Sequence, residues 1–191
     1  MPPAMETYPR NVTLVLGGVR SGKSRYAQTL ASRYRRVTFL ATARPSDREM
    51  RERIEMHRRD RPASWKTVEA AFDLPKTIKA ESREADLLLV DCLTLFVANA
   101  MTGHPRKPSS VLLATEQVCQ AIRSSKASVI VVSNEVGSGI VPVYRSGRIY
   151  RDLLGQMNQE IAKIADKVVL MIAGIPLTVK RQRSQRNGEL E

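Results

Sequence analysis

Cysteine is nearly absent from this chain of 191 residues: there are two, Cys92 and Cys119, both in apolar surroundings. Two cysteines make neither a disulfide framework nor a four-ligand zinc site. No apolar run reaches the roughly 20 residues of a membrane span. The first ten residues, MPPAMETYPR, hold no apolar signal core, so export is not expected. These absences predict a soluble protein of a reducing, cytoplasmic compartment. Aromatics make up 5% of the residues, which argues against the stacking platforms of proteins that grip single-stranded nucleic acid. Internal repeats are missing as well. What is present suits one compact α/β domain, with 42% hydrophobic residues to build its core.

Positive charge is in excess, 31 Lys and Arg against 19 Asp and Glu, for a net of +12. The polar tail 180–191 (KRQRSQRNGELE) carries only +2 of this and residues 1–10 carry none, so the body holds +10. A basic body suits nucleic acid, polyphosphates or a phosphorylated substrate, and composition does not separate them. Residues 1–11 read as an N-terminal extension, 12–179 as the folded domain, and 180–191 as a flexible tail.

Short apolar runs alternate with helical patterns, the signature of a parallel α/β architecture. The runs are Val12–Leu16, Val37–Ala41, Leu87–Cys92, Val129–Ser133 and Val168–Ala173. They read as strands buried on both faces. Helices are expected near 22–34, 46–59, 73–83, 110–125 and 145–165. Ser46 and Glu49 form an S-x-x-E capping box for the second, and Asp73 with Pro75 opens the third. Residues 103–110 (GHPRKPSS) read as the most loop-like internal stretch, and no chemistry is expected of His104 within it.

Residues Gly17, Gly18, Val19, Arg20, Ser21, Gly22, Lys23 and Ser24 fit the phosphate-loop pattern G-x-x-x-x-G-K-[ST]. A strand runs into the loop and a helix runs out of it. Glycines let successive backbone N–H groups point at phosphate oxygens, and the helix dipole adds positive potential. Lys23 would reach the β- and γ-phosphates, and the Ser24 hydroxyl would take a Mg²⁺ position. Arg20 is left open between a phosphate clamp and a solvated side chain. Asp91 directly ends the apolar strand 87–90, where a second metal ligand belongs; the competing reading is a cap on the helix that follows. These residues give a Mg²⁺-dependent nucleotide-binding domain.

Residues 44–66 hold eight Arg and Lys and five Asp and Glu. A helix there places Met50, Ile54 and His57 on one face. His57 then sits among Arg58, Arg59 and Arg61, near the helix end. A cationic cluster around an imidazole suits an anion held beside a nucleophile, and attack on an α-phosphorus would give a nucleotidyl-histidine. From spacing alone, a surface histidine on a charged helix is the competing reading. Trp65 suits base stacking or packing, and Glu135 suits substrate binding or a cap. Cys92 and Cys119 read as core residues.

These parts occur together and in order. They are GGVRSGKSR (17–25), FLATA (39–43), Glu49, Met50, Arg53, Ile54 and His57, then Arg61, Pro62, Trp65 and Thr67–Glu69. Leu89–Thr94 and Val132–Pro142 complete the series. The set resembles the bifunctional adenosylcobinamide kinase/adenosylcobinamide-phosphate guanylyltransferase family of cobalamin biosynthesis, over about Val12 to Val179. The resemblance implies a P-loop, RecA-like, mostly parallel sheet flanked by helices, and a homotrimer. It implies phosphorylation of the aminopropanol hydroxyl of adenosylcobinamide by ATP or GTP. GMP transfer from GTP to that phosphate, through a guanylylated histidine, follows. Matched residue by residue, the histidine is His57. Nucleotide contacts fall on the phosphate loop, on Ala41, Thr42 and Ala43, on Arg58, Arg59, Asp60 and Arg61, and on Glu69 and Asp91. A phosphate-loop ATPase acting on nucleic acid and a regulatory nucleotide-binding module stand as the alternatives.

Overall fold

The computed structural model describes residues 10–59, 61–102 and 108–181. Along the chain run β1 (Val12–Gly17), α1 (Lys23–Ala31), β2 (Val37–Ala41), α2 (Arg48–Arg59), β3 (Lys66–Glu69), α3 (Leu74–Glu81) and β4 (Leu87–Asp91). They are followed by α4 (Leu93–Thr102), α5 (Pro108–Ser124), β5 (Ser128–Val132), α6 (Arg145–Ile164), β6 (Lys167–Ile172) and β7 (Ile175–Arg181). One seven-stranded sheet has the order β3-β2-β4-β5-β1-β6-β7. β1 to β6 pair in parallel and β7 returns antiparallel to β6. This is the mostly parallel P-loop sheet implied by the resemblance, with β5 lying between β1 and β4.

Pleating sorts the apolar runs onto two faces. Leu14, Leu40, Leu88, Val90, Val129 and Val131 face a large core closed by α3, α4, α5 and α6. Val15, Phe39, Leu87, Leu89, Ile130 and Val132 face the other side, which α1 covers through Ala27 and Ala31. Both faces are therefore dry, which is why these strands lack polar alternation. Cys119 lies in the larger core, and Cys92 is half-buried against the smaller.

α2 differs from the other helices. None of its residues is buried, and Met50, Ile54 and His57 are its only half-buried positions, as the spacing requires. Exposed i,i+4 pairs line its outer surface: Arg48–Glu52 at 2.9 Å, Arg59–Glu55 at 3.8 Å and Arg53–Glu49 at 3.9 Å. Each stabilises by about 0.3–0.5 kcal/mol. The Ser46/Glu49 capping box does not form. Asp47 caps instead, accepting from the Met50 N–H at 2.8 Å and from the Ser46 hydroxyl at 3.0 Å. Those bonds hold the Asp47 carboxyl below its usual range.

Two elements escape the sequence reading, β3 and β7, and α4 enters it only as the helix that Asp91 would cap. The segment expected to be loop at 108–110 is already helix, because Pro108 at the first turn of α5 needs no N–H partner. Lys180 and Arg181, assigned to the tail, pair with Val168 and Lys167 in the ladder. Arg10 and Asn11, assigned to the extension, hydrogen-bond to Ile122, Arg123 and Ser128. His104 lies outside the described residues. Among the described residues no helix is long and apolar enough to cross a membrane. Leu88 is fully buried in a central strand, so Leu88→Ala is expected to cost about 2–5 kcal/mol of folding stability, measured by urea denaturation.

Candidate nucleotide site

The carboxyl ends of the six parallel strands define one edge, where ligands bind in such sheets. β1 delivers the phosphate loop there. Gly17 pairs with Met171 of β6, and a Cβ at Gly17 would stand 2.6 Å from the Met171 carbonyl oxygen, so only glycine fits. The loop then curls, with the Ser21 N–H donating to the Gly18 carbonyl at 3.3 Å. Arg20 adopts a left-handed φ of 56° and is exposed with Val19 at the tip. The β6–β7 turn supports the loop from beside: the Gly174 N–H donates to the Ser21 carbonyl at 3.1 Å. Ala173 and Gly174 hold φ of 50° and 84°, the left-handed pair of a two-residue hairpin turn.

Lys23, at the start of α1, is only 8% exposed. Its Nζ donates to the Gly18 carbonyl and lies 3.5 Å from Ser21 Oγ. Burial pulls its pKa below the ordinary lysine value, while Cys92 and Asp91 oppose that shift. Asp91 ends β4 as expected. Burial raises its pKa; the Ser24 hydroxyl donates to its carboxylate, and His57, Arg61 and Lys23 act on it as stabilising charges. The fold therefore brings together Lys23 and Ser24, His57 of α2, Arg61 and Asp91. Burial and the Asp91 charge push the neighbouring Cys92 thiol up to about 11, which leaves it a neutral, inert group.

Arg61 is the most constrained of these. Its guanidinium lies 3.5 Å over the Phe39 ring, and Nη1 donates to Thr67 Oγ1 at 3.4 Å. Its Nε is buried with no hydrogen-bond partner. Burial lowers its pKa against the pull of Asp91. A buried, unpaired guanidinium N–H is a donor that an anionic oxygen satisfies.

The other expected contacts fall around this group. Ala41 and Ala43 are half-buried at the end of β2, and Glu69 is exposed at the end of β3, paired in register with Ala41. Thr42 is fully buried. Its hydroxyl donates to the Cys92 carbonyl and accepts from the Cys92 N–H, both at 2.7 Å. Its carbonyl accepts from Asn99 at 2.8 Å. Thr42 thus positions the Asp91–Cys92 backbone. Arg58 and Arg59 are exposed on α2, and Asp60 lies outside the described residues. Trp65 packs half-buried against the smaller core, and Glu135 accepts from the Gly137 N–H at 2.8 Å. Sequence reasoning missed Gly174 and Asn99. A glycine between two apolar runs marks the turn at Gly174, but not the contact of that turn with the phosphate loop.

Ser24 and Asp91 are hard oxygen donors in mutual contact, which fits Mg²⁺ held by few protein ligands together with phosphate oxygens and water. Among the described residues there is no cluster of three or more His, Cys, Asp or Glu suited to another metal.

A family model described as cobinamide kinase / cobinamide phosphate guanyltransferase matches residues 13–179. The chain belongs to this family of enzymes. A bifunctional adenosylcobalamin biosynthesis protein of Pseudomonas aeruginosa is 39% identical over 168 residues, covering 87% of this chain and 96% of that protein. Proteins of the same description from Escherichia coli and Salmonella typhimurium are 36% and 37% identical, each covering 87% of this chain and 98% of the relative. A solved structure from Pyrococcus horikoshii OT3 superposes with a TM-score of 0.55 at 7% identity, covering 93% of this chain and 90% of that one. That likeness concerns the fold alone.

The seat that Gly174 gives the phosphate loop yields a prediction. Gly174→Ala meets no neighbour but must adopt φ near 84°, at a cost of about 1–2 kcal/mol. Nucleotide affinity, read by fluorescence titration, should fall severalfold in Gly174→Ala. It should be largely kept in Gly174→Asn, which tolerates the left-handed region. Equal affinities in all three proteins would contradict the seat.

Proposed function

We propose that this enzyme phosphorylates the aminopropanol hydroxyl of adenosylcobinamide with ATP or GTP, and then transfers GMP from GTP to the new phosphate. The products are adenosylcobinamide-GDP and pyrophosphate. The observation that carries this reading is the meeting of Lys23, Ser24, His57, Arg61 and Asp91 at one sheet edge.

In the kinase step the substrate hydroxyl oxygen attacks the γ-phosphorus, the bond to the β–γ bridging oxygen breaks, and the hydroxyl proton leaves to solvent. Lys23 and the amides of Gly18 to Ser24 stabilise charge on the transferring group and on the leaving nucleotide. Ser24 and Asp91 would hold Mg²⁺, which when bound neutralises phosphate charge. In the guanylyl step an imidazole nitrogen of His57 attacks the α-phosphorus, and pyrophosphate leaves. A phosphate oxygen of adenosylcobinamide phosphate then displaces the imidazole from phosphorus. Arg61 offers its unpaired Nε–H to a phosphate oxygen, while Arg20, Arg58, Arg59, Asp60, Ala41, Ala43 and Glu69 complete the nucleotide contacts. Thr42 acts through Asp91. His57 reaches the α-phosphorus either by a swing of α2, which has no buried residue to extract, or by a second pose of the nucleotide.

The edge strand β7 exposes Ile172, Ile175, Leu177 and Val179 along and beside it. Unpaired edge strands with apolar side chains associate readily. This supports a homo-oligomer, a trimer by the family resemblance. The setting that supplies these nucleotides is the cytoplasm, and no nucleic acid is involved.

Labelling with α-³²P-GTP and γ-³²P-GTP tests the covalent step. Acid-labile, alkali-stable label should reach the protein from the α position only, and His57→Ala should take none while still phosphorylating cobinamide. Label on His57→Ala equal to wild type sinks the covalent assignment. Separately, Lys23→Ala should slow cobinamide phosphorylation by about 10²-fold. Unchanged turnover, or ATP hydrolysis stimulated by nucleic acid, favours the ATPase alternative.

A further inference from the structure

The loop after β5 is fixed at both ends yet presents its apolar side chains outward. At its root the Glu135 N–H donates to the Gly17 carbonyl at 3.0 Å, where the phosphate loop begins. The Asn134 N–H donates to Thr94 Oγ1 at 2.9 Å, three residues beyond Asp91, and Asn158 Nδ2 donates to the Asn134 carbonyl at 3.0 Å. At its far end Arg148 Nη1 donates to the Pro142 and Val143 carbonyls at 3.1 and 2.6 Å. Between these anchors Ile140 is 96% exposed, Val143 88% and Tyr144 80%, with Val141 more than half exposed. Four large apolar side chains stand exposed within five residues, and apolar groups left in water in such number mark a binding surface.

We propose that residues 136–144 form the platform for the corrin ring of the acceptor. The inference deepens the kinase and guanylyltransferase reading and rests on it. Two features select this occupant. First, the root is bonded on one side to the phosphate loop and on the other to the segment behind Asp91. A ligand lying on the loop therefore lies beside the transferring phosphoryl group. Second, the rest of the rim carries the charged Arg20, Arg58, Arg61 and Glu69, which suit the nucleotide, and its exposed apolar residues Val19, Met56 and Phe72 come singly from three separate segments. A corrin has broad apolar faces, so it needs an apolar platform held firmly in place. The Gly137 and Gly139 N–H groups are bonded within the loop, to Glu135 Oε1 at 2.8 Å and to the Val136 carbonyl at 3.4 Å, which fixes the backbone that carries the apolar side chains. A second copy of the chain is the rival occupant, but the apolar row suited to it lies elsewhere, on the outer edge strand β7.

The test compares wild type with the double variant Ile140→Ser/Val143→Ser and with Ile140→Leu/Val143→Leu, all as the full chain. Cobinamide binding is measured by equilibrium dialysis with a non-hydrolysable GTP analogue present, and KM and kcat by the kinase reaction. GTP affinity is measured alone, and mass by light scattering. The serine variant should bind cobinamide about tenfold or more weakly, with KM raised to match, and GTP affinity and mass unchanged. The leucine variant should retain wild-type affinity. Wild-type cobinamide affinity in the serine variant overturns the platform while leaving the proposed reaction intact. A loss seen only together with a changed mass makes the loop a contact between copies and overturns it too. Wild type that neither binds nor phosphorylates cobinamide overturns the reaction itself, and the platform with it.

Discussion

Asp91 sits where burial works against its charge, and it is kept in check by groups drawn from three other parts of the chain. Its pKa is raised by desolvation, and Ser24, His57, Arg61 and Lys23 each act to lower it again. Those four arrive from the start of α1, from α2, and from the turn before β3. Each needs the parallel register of β1, β2 and β4 to reach the same edge. A slip of one residue in β4 would turn Asp91 to the other face of the sheet. Thr42 guards against that. Its hydroxyl clamps the Cys92 backbone from both sides, and Asn99 holds Thr42 in turn.

The charge balance of this cluster explains why a polyphosphate belongs there. Lys23 and Arg61 are both partly stripped of water, and their pKa values are lowered for that reason. One carboxylate does not offset two desolvated cations. An incoming phosphate supplies the missing negative charge and satisfies the orphan Nε–H of Arg61. The excess of +12 over the whole chain is more diffuse. The pairs along α2 add nothing to it, since Arg48, Arg53 and Arg59 each face a glutamate and contribute little beyond helix stability.

How much of this was legible in the sequence depended on the range of the interaction. The phosphate loop is a local pattern, and Asp91 directly follows its strand, so both could be read from neighbouring residues. The doubly buried strands were legible because nothing polar interrupts them. The extent of α4 was not, since LTLFVANAMT prolongs the apolar run of β4 and is covered on too many sides to show a polar face. β3 is a four-residue strand with mostly exposed side chains, and its pairing with β2 comes from the fold rather than from its composition. The true cap of α2, Asp47, stands one residue from the one the pattern suggested. Gly174 supports the phosphate loop across more than 150 residues of chain, and no local signal announces such a contact. His57 is intermediate. Its helical spacing was readable, but its position beside Asp91 was not.

If these groups form one site, the two reactions share it, and nucleotides compete for it. Isothermal titration with a non-hydrolysable GTP analogue in the presence of Mg²⁺ measures this directly. The account predicts one nucleotide bound per chain, displaced completely by the matching ATP analogue, with binding strongly weakened in Arg61→Ala. Two independent sites per chain, or ATP and GTP analogues that bind together without competition, would contradict it.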